Sequence, residues 1–585
     1  MNSVIIAMAL LPALYIVNSI LCLVRNVRAA KKLGISVVYS PVSPFNPAWI
    51  IFNKRVVPFL QRLPFGLGDW TRCNTLDWTW IDRAHGDCQI HKRYGDTFAN
   101  VTPRGIEIHT RDHAVVNQVL RKYTNEFPKL GSFAKVMDVI GTSVVSSDGS
   151  EWVHHRKATV ATLNDRNNRL VWAETIRQTL QMVQYYSSVS QGRIIDTVED
   201  IRELYLHVFT RVCYGVKYDF KQPAHTNIPA GHSMSYKDCL HSSIKGILML
   251  RLVPWWMMGM PGMPGKIRNF RQAILELQEY LDEMISSCQE KIAQGQVEKG
   301  FENLLSFMVK RGKESQDPSK ATADNYLSES GIRGNLFTYA RGGHESSAHT
   351  LTFMIYLLAA MPEMQDWLMQ EIDEVFDGDD VSWQSEEAFL PVFARLKRCQ
   401  AAVSETLRLY PSVTVIPKVN PLSVTLRVDD REICIPSGTS VYVNMPGVQV
   451  HEDVWGSGAR IWNPRRWIIS LVGAEDKNNS IAKESLQPPP DGAFVPWSEG
   501  KRACPGKRFS QVGLVAALAT ILAFHKVEVI PNDGESVEAA SQRTLAAVNN
   551  TYAVMSVHMY EPYSVRIKMV HRNDAAMPSR HRAAS

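Results

Sequence analysis

One short stretch limits what this chain can fold into more than any other. It is Phe494-Val495-Pro496-Trp497-Ser498-Glu499-Gly500-Lys501-Arg502-Ala503-Cys504-Pro505-Gly506, followed by an apolar helical pattern from about Phe509 to Phe524. A single cysteine stands there with one glycine four residues before it and another two residues after it. Glycine permits positive φ and lets backbone come close to a flat ligand. A cysteine just ahead of a helix N-terminus meets backbone N–H donors and the positive end of the helix dipole, both of which favour a thiolate. Arg502 adds a cation that can reach a carboxylate. This framing predicts an axial thiolate from Cys504 beneath a haem, with Gly500 and Gly506 shaping the loop and Arg502 on a propionate.

The rest of the cysteine usage agrees. The nine cysteines are scattered and never spaced as CxxC, which excludes a zinc ribbon and a disulfide scaffold, and no CxxCH is present for covalent haem attachment. Over 585 residues, 45% hydrophobic and 21% charged content excludes wholesale disorder, collagen and a polytopic membrane protein. The net charge of +6 comes without a dense basic stripe, so nucleic acid is not an expected partner.

From Ser3 to Val24 the chain is almost wholly apolar, and Arg25, Arg28, Lys31 and Lys32 follow at once. A helix of this length crosses a bilayer core of roughly 30 Å. Its basic flank lies on the far side of the run, which predicts an uncleaved anchor (3–24) with the remaining chain cytosolic. Asn100, Asn478 and Asn549 each head a glycosylation acceptor pattern, and this topology expects all three to stay free of sugar. Residues 25–60 are basic and proline-rich and read as a semi-rigid linker. A catalytic domain is expected over 61–572, with a disordered tail over 573–585.

Within that domain the patterns predict helices over Gln272–Gln294, Tyr326–Ala360, Pro362–Phe376 and Val392–Tyr410, and a polar loop over Arg311–Asn325. Strand patterns cover Val424–Val428 and Glu432–Ile435, joined by an Asp429-Asp430 turn, and Ser440–Val443. The fold class is mainly α with a minor β subdomain.

The run Trp497 to Gly506 resembles the haem-binding motif of the cytochrome P-450 monooxygenases, and three further stretches match that family in order. Glu405-Thr406-Leu407-Arg408 resembles its ExxR element. Residues i and i+3 of a helix share a face, and Arg466 in Pro464-Arg465-Arg466-Trp467 matches the third member of a Glu–Arg–Arg cluster that supports the cysteine loop. Gly342-Gly343-His344-Glu345-Ser346-Ser347 resembles the element that crosses the distal haem face. There the two glycines are expected to make room, and Glu345 and Ser346 to relay protons, with serine where threonine is commoner. Trp152-Val153-His154-His155-Arg156 resembles the WxxxR element, whose Trp152 and Arg156 would bond propionates.

The resemblance, strongest to fungal microsomal members, implies a P-450 fold and haem b as cofactor. It also implies electrons from NADPH through a separate NADPH–cytochrome P-450 reductase, with cytochrome b5 as a further candidate donor. Membrane lipid and a lipophilic small-molecule substrate complete the expected partners, and the endoplasmic reticulum membrane is the expected location. Lys501, Lys507 and Arg508 would offer the reductase a basic face. The Met- and Trp-rich segment Gly246 to Pro264 reads as a lipid-dipping loop. Phe133 to Val145 and Val413 to Lys418 are placed by the resemblance along the pocket. Two other classes share these motifs: a haem-thiolate isomerase or dehydratase, and a non-catalytic membrane-anchored haem protein.

Overall fold

The apolar N-terminal run lies inside one helix, α1 (Asn2–Lys31), longer than the 3–24 anchor because nothing after Val24 breaks it. The structure, a computed structural model, describes residues 2–131, 138–190, 194, 196–221, 228–246, 249, 250, 252–296, 302–316, 327–376, 383–470, 481–553 and 556–572. The expected tail 573–585 and acceptor Asn478 fall outside these. The stretch Ala13–Lys31 is long and apolar enough to cross a membrane, and Leu14, Tyr15, Ile16, Val17, Ile20 and Leu21 are exposed along it. Its last turns are anchored on the body: Ala30 and Leu33 are buried with Val101 and Ile108, and Asn26 Nδ2 donates to the Thr102 carbonyl at 3.0 Å.

The expected linker over 25–60 is corrected by the structure. After α1 the chain adds strand β1 (Val37–Tyr39) to a sheet and then forms helix α2 (Pro47–Leu60). Asn46 caps α2 by accepting from Trp49 N at 3.2 Å, with Pro47 at the first helical position. Asn-Pro here is therefore a helix start, where proline's missing N–H costs nothing. Trp49 is buried and its Nε1 donates to the Asn74 carbonyl at 2.7 Å.

The sheet continues with β2 (Thr97–Thr102) and β3 (Gly105–Thr110), an antiparallel hairpin in which the acceptor Asn100 is fully buried. The helical body follows: α3 (Gly149–Val160), α4 (Asp165–Ser190), α5 (Thr197–Phe209), α6 (Gly265–Ala293), α7 (Leu304–Gln316), α8 (Glu329–Ala360), α9 (Pro362–Phe376) and α10 (Lys397–Leu409). Helix α7 takes the first part of the polar segment read as a loop, and 317–326 lie outside the described residues. The single helix expected over Val392–Tyr410 is two, Phe389–Arg395 and α10, broken at Leu396 (φ −75°, ψ 61°). The apolar period runs through the break, but buried Glu371 caps the new N-terminus, accepting from Arg398 N at 2.6 Å and Cys399 N at 3.0 Å.

Strands β4 (Val415–Val419), β5 (Val424–Val428), β6 (Arg431–Ile435) and β7 (Ser440–Asn444) follow. The main sheet runs β1-β2-β3-β7-β4, while β5 and β6 form a separate hairpin. Its turn residues Asp429 and Asp430 both have positive φ, 46° and 61°, the geometry whose twist matches the flanking strands. Helix α11 (Lys507–Phe524) is apolar enough to resemble a membrane span but is mostly buried in the core against α4. Helix α8 runs through the body in contact with α5, α10 and α11, so residues along it reach the interior between the helices and the sheet.

Candidate active site

The cysteine loop folds as its glycine framing suggests, with one difference. Cys504 N donates to the Trp497 carbonyl at 2.7 Å, and Ala503 N to the Gly500 carbonyl at 3.0 Å. Gly500 has φ +68°, and a Cβ there would lie 2.3 Å from the Leu120 carbonyl oxygen, so only glycine fits. Gly506 has an ordinary φ of −83°, and a Cβ on it would approach nothing nearer than Cys504 Sγ at 3.9 Å. Its backbone makes no special demand.

Cys504 opens onto a cavity of about 560 Å³. Its exposed surface faces this cavity, so the sulfur is accessible from it. Burial pushes the thiol above its usual pKa, and the Gly506 N–H and Arg156 only partly oppose it. Burial thus opposes what the helix start favours. Desolvation outweighs the few donors, and a cation bound at Sγ is what would hold the anion.

The same cavity is lined by Trp152, Arg156, Arg502, Gly342, Glu345 and Ser346, so six residues from three distant motifs and the cysteine meet in one place. Arg156 Nη1 donates to the Ala503 carbonyl at 2.9 Å. Arg502 pairs with Asp148, donates to the Ser147 carbonyl at 3.2 Å and lies 4.0 Å over the Trp152 ring. Sequence reasoning missed Lys129, which lines the cavity and donates to the carbonyls of Val144 (3.2 Å) and Val145 (2.9 Å). Lys418, buried on β4, comes beside it through an isolated bridge between the two residues. No motif marks Lys129; only the pairing of two remote segments brings it in. Burial, and next the charge of Arg502, lower Lys129 to about 7 and Lys418 to about 8. Arg156, Arg502 and Lys129 in the wall, set against the Asp148 carboxylate, leave room for two further negative charges.

Helix α8 supplies another wall. A Cβ on Gly342 would meet nothing within 4 Å, so this glycine leaves space in the cavity. Gly343 does something else than expected: a Cβ there would come 2.6 Å from Phe209, so it serves the close packing of α8 on α5. Ser346 Oγ donates to the Gly342 carbonyl at 2.9 Å, leaving its lone pairs to the cavity. Burial pushes the Arg341 guanidinium below its usual pKa, and the neighbouring Glu345 charge opposes this.

Glu405, Arg408 and Arg466 form the expected cluster. Glu405 accepts from Arg408 Nε and Nη2, both at 2.8 Å, and from Arg466 Nε at 2.9 Å. Trp467 Nε1 (2.9 Å) and Asn463 N (2.9 Å) complete its shell. Arg408 Nη1 also donates to the Gln449 carbonyl at 2.8 Å, and Gln449 Oε1 accepts from Val495 N at 3.1 Å. Through Gln449 the cluster holds the start of the cysteine loop, a link with no sequence signal. Of the three cations near the loop, Lys501 reaches Asn125 Oδ1 at 3.2 Å, while Arg508 packs 4.2 Å over the Phe393 ring. Of the two expected lining segments, 132–137 lie outside the described residues, and Val144, Val145 and Val413 to Pro417 line the cavity.

The Cys504 sulfur in the wall, a helix without a Cβ at Gly342 and a group of cations suited to two carboxylates fit a flat, dianionic iron porphyrin. The comparisons agree. The cytochrome P-450 family profile matches residues 79–554. A cytochrome P-450 monooxygenase of Arthrobotrys oligospora is 27% identical over 94% of this chain and 95% of its own length. One of Penicillium rubens is 27% identical over 90% of this chain and 91% of its own. The cytochrome P-450 monooxygenase of a phomenoic acid biosynthesis cluster in Leptosphaeria maculans is 25% identical over 89% and 91%. With the family profile spanning most of its length, from before β2 to beyond α11, the chain belongs to the cytochrome P-450 family.

Proposed function

We propose that the chain is a membrane-anchored haem-thiolate monooxygenase that oxidises a lipophilic intermediate of fungal secondary metabolism. The observation that carries this reading is the meeting of Cys504 with Gly342, Glu345 and Ser346 in one largely apolar cavity. Cys504 would hold haem iron through Sγ, and Arg156, Arg502 and Lys129 would take the two propionates, with Trp152 backing Arg502. Haem bound there supplies the one-electron and dioxygen chemistry. The protein's own part is positioning and proton traffic. Glu405, Arg408 and Arg466 keep the cysteine loop in register. The Glu345 carboxyl carries protons into the cavity, and Ser346 Oγ accepts and passes them on. Desolvation by the apolar lining strengthens each of these interactions. The relative from a phomenoic acid biosynthesis cluster supports a biosynthetic setting, and NADPH with a flavoprotein reductase supplies electrons from outside this chain.

The test uses extract from a strain lacking the gene, in which the substrate accumulates. Haem-loaded protein with reductase and NADPH under oxygen-18 gas is expected to yield a product carrying the label. Conversion without NADPH and reductase would instead mark an isomerase or dehydratase, and no conversion a haem carrier.

The membrane reading extends to the Gly246–Pro264 segment. Trp256 is 70% exposed and Trp255 and Met260 are also exposed, a surface suited to the bilayer interface. Replacing both tryptophans with serine in a form lacking α1 is expected to lower vesicle partitioning at least several-fold; unchanged partitioning would contradict the dipping role.

A further inference from the structure

We propose that Glu107 and His109 form a polar subsite that takes a hydroxyl group on an otherwise lipophilic substrate. This deepens the monooxygenase reading above and rests on it. The two residues stand two apart on β3, so they point to the same side of the sheet, and both line the cavity that holds Cys504. They are 5% and 4% exposed.

His109 is fixed in position. Its ring stacks on Tyr442 (centroids 5.0 Å apart) and on Phe98 (5.4 Å), with Trp78 edge-on at 5.0 Å. Neither of its ring nitrogens has a hydrogen-bond partner. A buried polar atom left in that state is destabilising; both nitrogens are shut off from solvent as the wall stands, so a hydroxyl entering from the cavity would pair with Nε2 through a small shift of the ring edge. Glu107 is oriented as well: Oε2 accepts from Asn100 Nδ2 at 3.1 Å, and Asn100 Oδ1 in turn accepts from Ser40 Oγ at 2.6 Å.

Glu107 Oε2 and His109 Nε2 lie 3.9 Å apart. That is too far for a direct hydrogen bond, but it suits one oxygen atom placed between them. With about 2.8 Å to each partner, the angle at that oxygen is about 90°. A hydroxyl group gives its hydrogen to the carboxylate and accepts from an imidazole N–H, satisfying both. An ammonium group only donates. A carboxylate only accepts and is repelled by Glu107, and an ether has no hydrogen to give. Polar pockets of this kind discriminate strongly, because an analogue lacking the group leaves the buried partners unpaired. Anchoring the hydroxyl at the sheet wall leaves the apolar remainder of the substrate to extend through the cavity toward Cys504.

The test measures binding of dodecan-1-ol, dodecyl methyl ether and dodecanoic acid to the haem-loaded full-length protein by calorimetry. The alcohol is expected to bind at least ten-fold more tightly than the other two. Glu107→Gln keeps the side-chain volume and His109→Phe keeps the ring stack; each is expected to remove most of that preference without lowering haem content. Equal binding of the three probes, or a preference that survives both substitutions, overturns the proposal and leaves the pair to a water molecule alone. A ferrous–carbonyl spectrum of the same sample keeps this separate from the monooxygenase reading. A sample with the thiolate band and no hydroxyl preference defeats the subsite alone, and a sample without the band defeats the reading beneath it.

Discussion

Glu405→Gln is expected to give a protein that unfolds about 3–5 kcal/mol more easily and retains little haem. The carboxylate it removes is fully buried and accepts from both Arg408 and Arg466. Removing one partner of a buried ionic cluster leaves uncompensated charge, the costly case among salt-bridge substitutions. Against a total stability of roughly 5–15 kcal/mol, that loss is a large fraction. Burial pushes the Glu405 carboxyl up, but Arg408 and then Arg466 outweigh it and hold the group below the usual carboxylate range. The sign follows: a depressed folded pKa stabilises the protein above the unfolded value, and that stabilisation fades as pH falls through the folded value. The gap between native protein and variant in urea denaturation should therefore be full near neutrality and shrink under acid. A gap that is small at neutral pH, or unchanged in acid, would contradict the assigned role.

Glu345→Gln is expected to act on rate and not on folding. Product formation should fall by about 10²–10⁴-fold, the usual contribution of a positioned proton-transfer group, while haem content and the carbonyl spectrum stay as in the native protein. Glutamine keeps the shape and loses the titrating proton. Oxygen and NADPH consumption should persist in excess of product, and the solvent isotope effect should change. Ser346→Ala should show the same pattern more weakly, because its hydroxyl already donates to the Gly342 carbonyl. Equal coupling in native protein and Glu345→Gln would remove the carboxyl from the proton path.

What could be read from the residues alone depended on how local its cause was. The hairpin around Asp429 and Asp430, the helix Pro362–Phe376 and the strand from Ser440 depend on turn chemistry and periodicity, and the structure places them where the pattern does. The break at Leu396 stayed hidden because the carboxylate that caps the new helix comes from α9. The segment 25–60 read as a linker because proline was weighed without the Asn46 cap that turns Asn-Pro into a helix start.

The site divides the same way. Cys504, Glu405, Arg408 and Arg466 carry motif spacing, and their places in the cavity wall and the ion cluster follow it. Lys129, Gln449, Glu107 and His109 gain their roles only through pairing between remote segments, so no local pattern marks them. Gly343 looked like a neighbour of the ligand because it sits beside Gly342, yet one residue along a helix is a turn of about 100° and faces Phe209 instead.

The most direct measurement is the ferrous–carbonyl absorption spectrum of purified, haem-loaded protein beside Cys504→Ala. Native protein is expected to show the red-shifted Soret band of thiolate ligation, and the variant to lose that band. A variant that keeps it, or native protein that never shows it, would mean that the sulfur at 504 is not the iron ligand.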